Sequence, residues 1–428
     1  MAEAKKQQIK RPRGTRDILP EDWKAVAYVA GVAGRLSAQA GFSPIFTPSF
    51  EDTALFSRGV GEVTDIVEKE MFTFEDRSGN SLSLKPEGTA PIVRAYLEDG
   101  MQSWPHPVKL SYVDAFFRYD RPQKGRYRQF MQYGVELIGD PGPKSDAEVI
   151  DLGVRILRGV GLRDFSVQVG TVGCPDCRGG YTEELTNYLN KHLAKLSEDS
   201  KRRVSTNPMR VLDSKDPKDQ KISAKAPVIL DHLCKACKEH FYAVLESLDE
   251  LDVSYELNPR LVRGLDYYTR TTFEMQPIAE GGQSTLLAGG RYDGLVEQLG
   301  GKPTPAIGFS GGVERAVLAM EEQKVDFDWP GSVDVYVAQM GDAARKKGFR
   351  LISELRNESI GAVWEPDRES LKAQLGAAAE RYGARFSAII GQKEVLEGTV
   401  ILRDMQKQVQ EAIPAEEAVV ELKRRLER

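Results

Sequence analysis

The run 261–274, Leu-Val-Arg-Gly-Leu-Asp-Tyr-Tyr-Thr-Arg-Thr-Thr-Phe-Glu, sets one guanidinium, Arg263, among apolar and aromatic side chains and beside a glycine. A permanent charge in such company needs an anionic partner. Arginine makes bidentate, charge-assisted bonds to phosphate or carboxylate, while Tyr267 and Tyr268 can wall a pocket and still offer hydroxyls. The plainer alternative is an ion pair on an ordinary strand with a structural carboxylate such as Asp266. Arg118 and Arg126 flank a charged stretch, and Arg315 follows Gly311-Gly312 at the start of a helix. Arginines held beside glycines or aromatics on separate segments suit a triphosphate. No G-x-x-x-x-G-K-[ST] loop is present, so a P-loop cradle is excluded and a sheet carrying arginines is the expected platform.

All four cysteines fall into two C-x2-C pairs, Cys174 with Cys177 and Cys234 with Cys237. Four thiolates can close a tetrahedral structural zinc site, although the intervening segment is much longer than in a compact zinc ribbon. His240 could replace one sulfur. A redox pair in a thioredoxin-like setting and plain buried thiols in a reducing compartment are the alternatives.

These residues must be positioned by a chain of 428 residues, long enough for two or three domains with their own cores. Its 41% hydrophobic and 29% charged residues are ordinary for a soluble protein. Apolar runs such as 26–33 are too short to span a bilayer, and the basic stretch 1–15 lacks the apolar segment of a secretory signal, so a cytoplasmic location without membrane contact is expected. A net charge of -5 means that any nucleic-acid contact must come from local patches. One patch is 118–128, where Arg121 and Lys124 are interleaved with Tyr119, Tyr127, Pro122 and Gly125, which suits a loop. The other, Arg345-Lys346-Lys347, reads better as a solvated helix face.

Periodicity predicts an amphipathic helix over 20–40 and a strand over 42–50, confined by Pro44 and Pro48 to an edge or interface. A hairpin over 71–84 leads through Lys85-Pro86-Glu87-Gly88-Thr89 into a helix. Strands 108–119 and 129–138 form an antiparallel pair around the basic loop, and a loop of that length inside a domain is usually functional. From about 164 a polar, Lys-rich helical insertion brackets the cysteines. Strand-like sequence resumes at Tyr255, continues through the Arg263 run, turns at 289–294, and returns at 306–309 before a helix from Val313. After a linker at 326–332, strands at 333–337, 360–364, 386–390 and 399–403 alternate with helices from 342 and 370, which indicates an α/β unit with a largely parallel sheet. The expected division is 1–163 and 253–328 as two parts of one domain, 164–252 as an insertion, and 329–428 as a separate α/β domain.

The segment Phe117-Arg118-Tyr119-Asp120-Arg121-Pro122-Gln123-Lys124-Gly125-Arg126-Tyr127-Arg128-Gln129-Phe130 resembles the second signature motif of class II aminoacyl-tRNA synthetases in its histidyl form. Residues 308–315 resemble the third motif, the Pro48 strand after its helix resembles the first, and the Arg263 run and 289–295 resemble the two peptides peculiar to histidyl-tRNA synthetases. The resemblance implies an α+β catalytic domain on a mixed, mainly antiparallel sheet, the class II fold, with a helical insertion and a C-terminal α/β anticodon-binding domain. It implies a homodimeric ligase that joins L-histidine to ATP as histidyl-adenylate and passes the histidine to its tRNA. Arg118 and Arg263 would be the catalytic pair at the α-phosphate, Arg263 standing where most of the class relies on an additional metal ion. Arg126 and Arg315 would hold the outer phosphates with Mg²⁺, and Asp120 would reach toward adenine. Glu87, Gly88, Thr89, Gln132, Glu136, Tyr267 and Tyr268 would complete the histidine pocket with Arg118 and Arg263. Within that pocket Glu136 and Tyr268 would meet the two imidazole nitrogens. A site built to hydrogen-bond its substrate rejects analogues lacking those groups by about 10⁴ to 10⁵, so editing is not required. Gln123 would meet the acceptor end of the tRNA.

Met131, Asp120 and Lys85 depart from the family's more common His, Glu and Arg; Asp120 shortens the reach, and Lys85 loses the bidentate fork. A synthetase-like regulatory partner of ATP phosphoribosyltransferase, or a nucleic-acid-binding accessory protein on the same scaffold, would lack the terminal domain or have eroded peptides. This chain keeps both.

Overall fold

Strands of two to ten residues build the first of two compact units, 1–327 and 328–428, in the computed structural model, which describes residues 9–61, 64, 66–278, 285–327 and 333–426. In chain order its strands are β1 (Ser43–Pro44), β2 (Phe50–Asp52), β3 (Phe72–Glu75), β4 (Ser81–Leu84), β5 (Val108–Phe117), β6 (Gln129–Ile138), β7 (Phe165–Thr171), β8 (Glu256–Leu257), β9 (Thr269–Pro277), β10 (Leu287–Arg291) and β11 (Ala306–Gly312). Eight of them form one sheet in the order β1-β5-β6-β11-β10-β9-β7-β8, parallel only at its two edge pairs, while β2, β4 and β3 form a small separate sheet. This is the mixed, mainly antiparallel platform expected.

Side chains alternate across a strand, so each face of the large sheet has its own core. Tyr133, Val135 and Leu137 of β6, Phe273 and Met275 of β9, and Ile307 and Phe309 of β11 pack under helices Pro20–Gln39, Pro143–Gly159, Lys235–Glu250 and Val313–Glu322. On the opposite face, Leu110, Tyr112 and Phe116 of β5 meet helices Thr53–Val60 and Thr89–Glu98. Gln132 and Glu136 of β6, Glu274 of β9 and Gly308 of β11 alternate onto that second face.

Four expectations change here. The strand over 42–50 is two short ones in different sheets, because Pro44 and Pro48 each remove a ladder donor. Residues 258–268 form a loop, so Arg263 is not on a strand. The run at 289–290 is strand rather than turn: a Cβ on Gly290 would lie 2.6 Å from the Thr271 carbonyl oxygen, and one on Gly289 would strike the Gly308 carbonyl. These glycines let backbones approach closely rather than reverse the chain. The boundary at 163/164 also cuts too early, since β7 belongs to the large sheet, and helix Lys235–Glu250, with Phe241, Val244 and Leu248, packs into the first core.

In the second unit the sheet order is β13 (Ala362–Val363), β12 (Val335–Gln339), β14 (Phe386–Ile390), β15 (Thr399–Asp404), β16 (Gln410–Pro414). β12 pairs in parallel with β13 and β14, whereas β15 runs antiparallel to both β14 and β16, so the sheet is half parallel rather than largely so. Arg345 sits on helix Asp342–Asn357 and pairs with Asp342 at 3.2 Å, as a solvated face would have it. Residues 328–332 of the expected linker lie outside the described residues.

Candidate active site

A cleft opens on the second face of the large sheet, and its walls hold Glu87, Gly88, Thr89, Arg118, Asp120, Arg126, Gln132, Arg263, Tyr267, Tyr268 and Arg315. Residues spread over more than 220 positions of sequence converge there because β5, β6, β11, β10 and β9 are neighbours in the sheet.

One end of the cleft is cationic. The loop 118–128 folds back on itself through paired backbone bonds between Gln123 and Arg126, with Gly125 at φ 75° allowing the turn. Arg126 reaches Asp120 at 3.0 Å, which turns the Asp120 carboxylate toward a guanidinium. Arg118 donates from Nε to the Pro86 carbonyl at 2.8 Å and lies 5.3 Å over the Phe130 ring. Arg315, at the start of its helix, donates to the Thr285 carbonyl at 2.9 Å. Burial, followed by the charges of Arg126 and Arg118, pushes the Arg315 pKa down to about 10. Like charges crowded in this way favour an incoming anion. Gln123 is at the exposed tip of the loop, away from the cleft lining.

Arg263 does have a carboxylate partner, but it is Glu274 on β9, at 2.6 Å, rather than Asp266. Burial disfavours the Arg263 charge, but Glu274 together with Tyr268, Asp213 and Tyr267 more than offsets it, so the pKa is raised. Its Nε is buried without a hydrogen-bond partner among the described residues. Glu274 also accepts from Gln276 at 2.8 Å and from Thr285, which leaves the carboxylate fully engaged.

The other end is polar and aromatic. Glu87 accepts from the backbone N–H groups of Thr89 and Ala90, both at 2.8 Å, and so caps helix Thr89–Glu98; burial nevertheless raises its pKa. Tyr267 donates to Glu87 at 3.3 Å and packs 4.8 Å from Tyr268 and 5.7 Å from Tyr292, ring centre to ring centre. Gly88 must be small, because a Cβ there would lie 2.9 Å from the Tyr112 ring. Gln132 Oε1 is a buried acceptor with no partner among the described residues, a state that buried polar atoms rarely keep unless a ligand or water completes them.

Glu136 is 1% exposed and lies opposite Gly308 in the β6–β11 register, behind the cleft residues Thr89 and Tyr292 that bond it. Any Cβ at 308 would collide with its carboxylate. Thr89 donates to one oxygen at 2.8 Å and Tyr292 to the other at 2.5 Å. Burial pushes the Glu136 pKa up to about 8, against the opposing effect of those two hydroxyls. Tyr292 was missed because the glycine run before it reads as a turn. Glu314, also in the cleft wall, accepts from the Met131 N–H at 3.0 Å, and nothing in its helical surroundings signals this.

Lys85 does not line the cleft. It is fully buried, paired with Asp114 and bonded to the Thr47 carbonyl at 2.9 Å, so its loss of a bidentate fork bears on packing.

Away from the cleft, the sulfurs of Cys174, Cys177, Cys234 and Cys237 all lie within 4.8 Å of one another. A tetrahedral zinc–thiolate shell needs S···S separations of about 3.8 Å, which follows from bonds of about 2.3 Å. Four soft donors this close fit such an ion. His240 is not the fourth donor: its Nε2 lies 2.8 Å from Asp146, which also binds the buried Arg291.

Known proteins bear on this geometry directly. The sequence model of histidyl-tRNA synthetase matches residues 14–316, and that of the anticodon-binding domain matches 334–425. A histidine–tRNA ligase of Dehalococcoides mccartyi is 47% identical over 97% of this chain and 99% of its own, and one of Desulforamulus reducens is 45% identical over the same shares. The apo histidyl-tRNA synthetase of S. aureus has a similar structure, with a TM-score of 0.81 at 36% identity, covering 97% of this chain and 100% of that one.

Proposed function

The chain belongs to the histidyl-tRNA synthetase family and is an aminoacyl-tRNA ligase, and we propose that the cleft divides the activation of L-histidine by ATP between its cationic and polar ends. The observation that carries this reading is the set of Arg118, Arg126 and Arg263 crowded around Arg315, whose own charge is disfavoured until an anion arrives. The carboxylate oxygen of histidine attacks the α-phosphorus, the bond to the bridging oxygen breaks, and pyrophosphate leaves. The terminal ribose hydroxyl of histidine tRNA then attacks the carbonyl of the adenylate and AMP departs.

Arg118 and Arg263 stabilise negative charge on the five-coordinate α-phosphate, with Arg263 preset by Glu274 so that little reorganisation is needed at the moment of reaction. Arg126 and Arg315 hold the outer phosphates. Glu87, Gln132 and Tyr267 take the ammonium group of histidine against the backbone of Gly88 and Thr89. Tyr268 and Glu136 meet the two imidazole nitrogens, with the Glu136 carboxylate held by Thr89 and Tyr292. Asp120 and Arg126 together border the adenine side.

Glu314, a hard oxygen donor in the cleft wall beside Arg315, would hold Mg²⁺, which would supply neutralising charge there. The four cysteines hold a structural zinc ion. The second unit reads the anticodon, Gln123 approaches the acceptor end, and the segment around Pro44 and Pro48 joins two copies into a homodimer. Exposed Phe46 and Phe50 on that segment support the last point. The protein works in the cytoplasm; among the described residues, no helix is long and apolar enough to cross a membrane.

Histidine-dependent exchange of pyrophosphate into ATP tests the reading. Exchange is expected with histidine alone among the amino acids. A folded, pure protein without it would favour a regulatory or accessory role instead.

A further inference from the structure

The loop 258–268 carries Arg263, Tyr267 and Tyr268 but is not a strand of the sheet, so something else must hold three site residues in register. The holding groups come from the insertion. Arg210 donates from Nη2 to the Gly264 carbonyl at 2.5 Å, directly after Arg263, and its Nε lies 3.5 Å from Asp266. Asn207 donates to the same Asp266 carboxylate at 3.1 Å. Arg178 donates from Nη2 to the Tyr268 carbonyl at 2.6 Å. Arg178 is in the first turn of helix Pro175–Lys191, immediately after Cys177, and its backbone N–H bonds the Cys174 carbonyl at 3.1 Å.

Arg210 is buried and Arg178 half-buried, and each aims an Nη2 donor at a neutral backbone carbonyl, with Asp266 beside Arg210. A buried guanidinium used in this way fixes a backbone rather than a net charge. Two carbonyls four residues apart, each seized by a rigid planar donor, leave the intervening turn little freedom.

We propose that the insertion is a clamp on the catalytic loop, with Arg210 the positioning residue for Arg263 and Arg178 the positioning residue for Tyr268. The proposal rests on the reading that Arg263 acts at the α-phosphate and Tyr268 at histidine. Because the two arginines grip different points of the loop, one beside Arg263 and one at Tyr268, their losses separate kinetically. Arg210→Met misplaces the charge that matters in the transition state, and Arg178→Met misplaces a wall of the histidine pocket.

The test is pyrophosphate exchange with the full chain, at varied histidine, for Arg210→Met, Arg178→Met, Arg263→Ala and the double variant Arg210→Met with Arg263→Ala. Arg210→Met is expected to lower kcat about tenfold or more with the histidine KM within about threefold, and Arg178→Met to raise that KM about tenfold. In the Arg263→Ala background, Arg210→Met should cost less than about twofold, because the residue it positions is gone. Equal losses from Arg210→Met in both backgrounds, or wild-type kinetics in folded single variants, overturn the clamp. If Arg210→Met does not fold, Arg210→Lys retains one donor for the Gly264 carbonyl and should come within about threefold of wild type; a loss of tenfold or more in that variant overturns the clamp as well. A near-normal rate for Arg263→Ala overturns the underlying reading instead, whatever the Arg210 variants do.

Discussion

Arg263 is held by Glu274 at 2.6 Å, and its buried Nε has no hydrogen-bond partner among the described residues. Loss of a preorganised positive partner at developing charge commonly costs about 10² to 10³ in rate. Arg263→Ala should therefore depress adenylation by that factor while changing histidine affinity far less, as read by exchange kinetics and equilibrium binding. Glu136 makes a different prediction, one of stability. Its pKa is pushed from 4.5 up to about 8 by burial, so the fold favours its protonated form. That contribution is complete below about pH 4.5 and is lost as pH rises through about 8. Thermal unfolding of the free protein should show the unfolding temperature falling over this window, and Glu136→Gln should flatten the fall. An unchanged pH profile in the variant would count against the buried acid. The arginines and tyrosines of the site were legible in the sequence by type. Their partners were not, because Glu274 meets Arg263 only through the curl of a loop over β9.

At the scale of elements, glycines decide how near the strands can come. Gly290 lies opposite Thr272 in β9 and Gly308 in β11, with the Thr271 carbonyl oxygen 2.6 Å and the Tyr268 ring 2.8 Å from the position of an added Cβ. Neither backbone can yield freely. Gly290→Ala should cost about 1–3 kcal/mol in urea unfolding and raise the histidine KM by displacing Tyr268. A change below about 0.5 kcal/mol, typical of an unconstrained surface site, would show that the sheet has more slack than its geometry indicates. Helix Pro20–Gln39, the hairpin β3–β4 and the pair β5–β6 were readable from periodicity and turn residues. The strand β10 was not, since a Gly-Gly pair signals a turn unless the neighbouring strand that requires it is known.

For the whole molecule, native mass spectrometry of protein purified without chelator should find two 47.6 kDa chains with one zinc ion in each. Less than about half an equivalent of zinc would remove the metal from the cysteine cluster, since a structural site binds tightly enough to survive purification. A single-chain mass would remove the dimer. The sequence by itself determined the family, the class of fold and the chemical types of the residues that line the cleft, because motifs and periodicity are local patterns that survive without coordinates. Only the tertiary structure decided that Thr89 and Tyr292 hold the Glu136 carboxylate, that β7 belongs to the large sheet, that His240 serves Asp146 rather than the cysteines, and that Arg178 and Arg210 bond the loop that carries Arg263. Each of these depends on which distant segments share a sheet or a core, and burial and hydrogen bonding settle that only when the whole chain has folded.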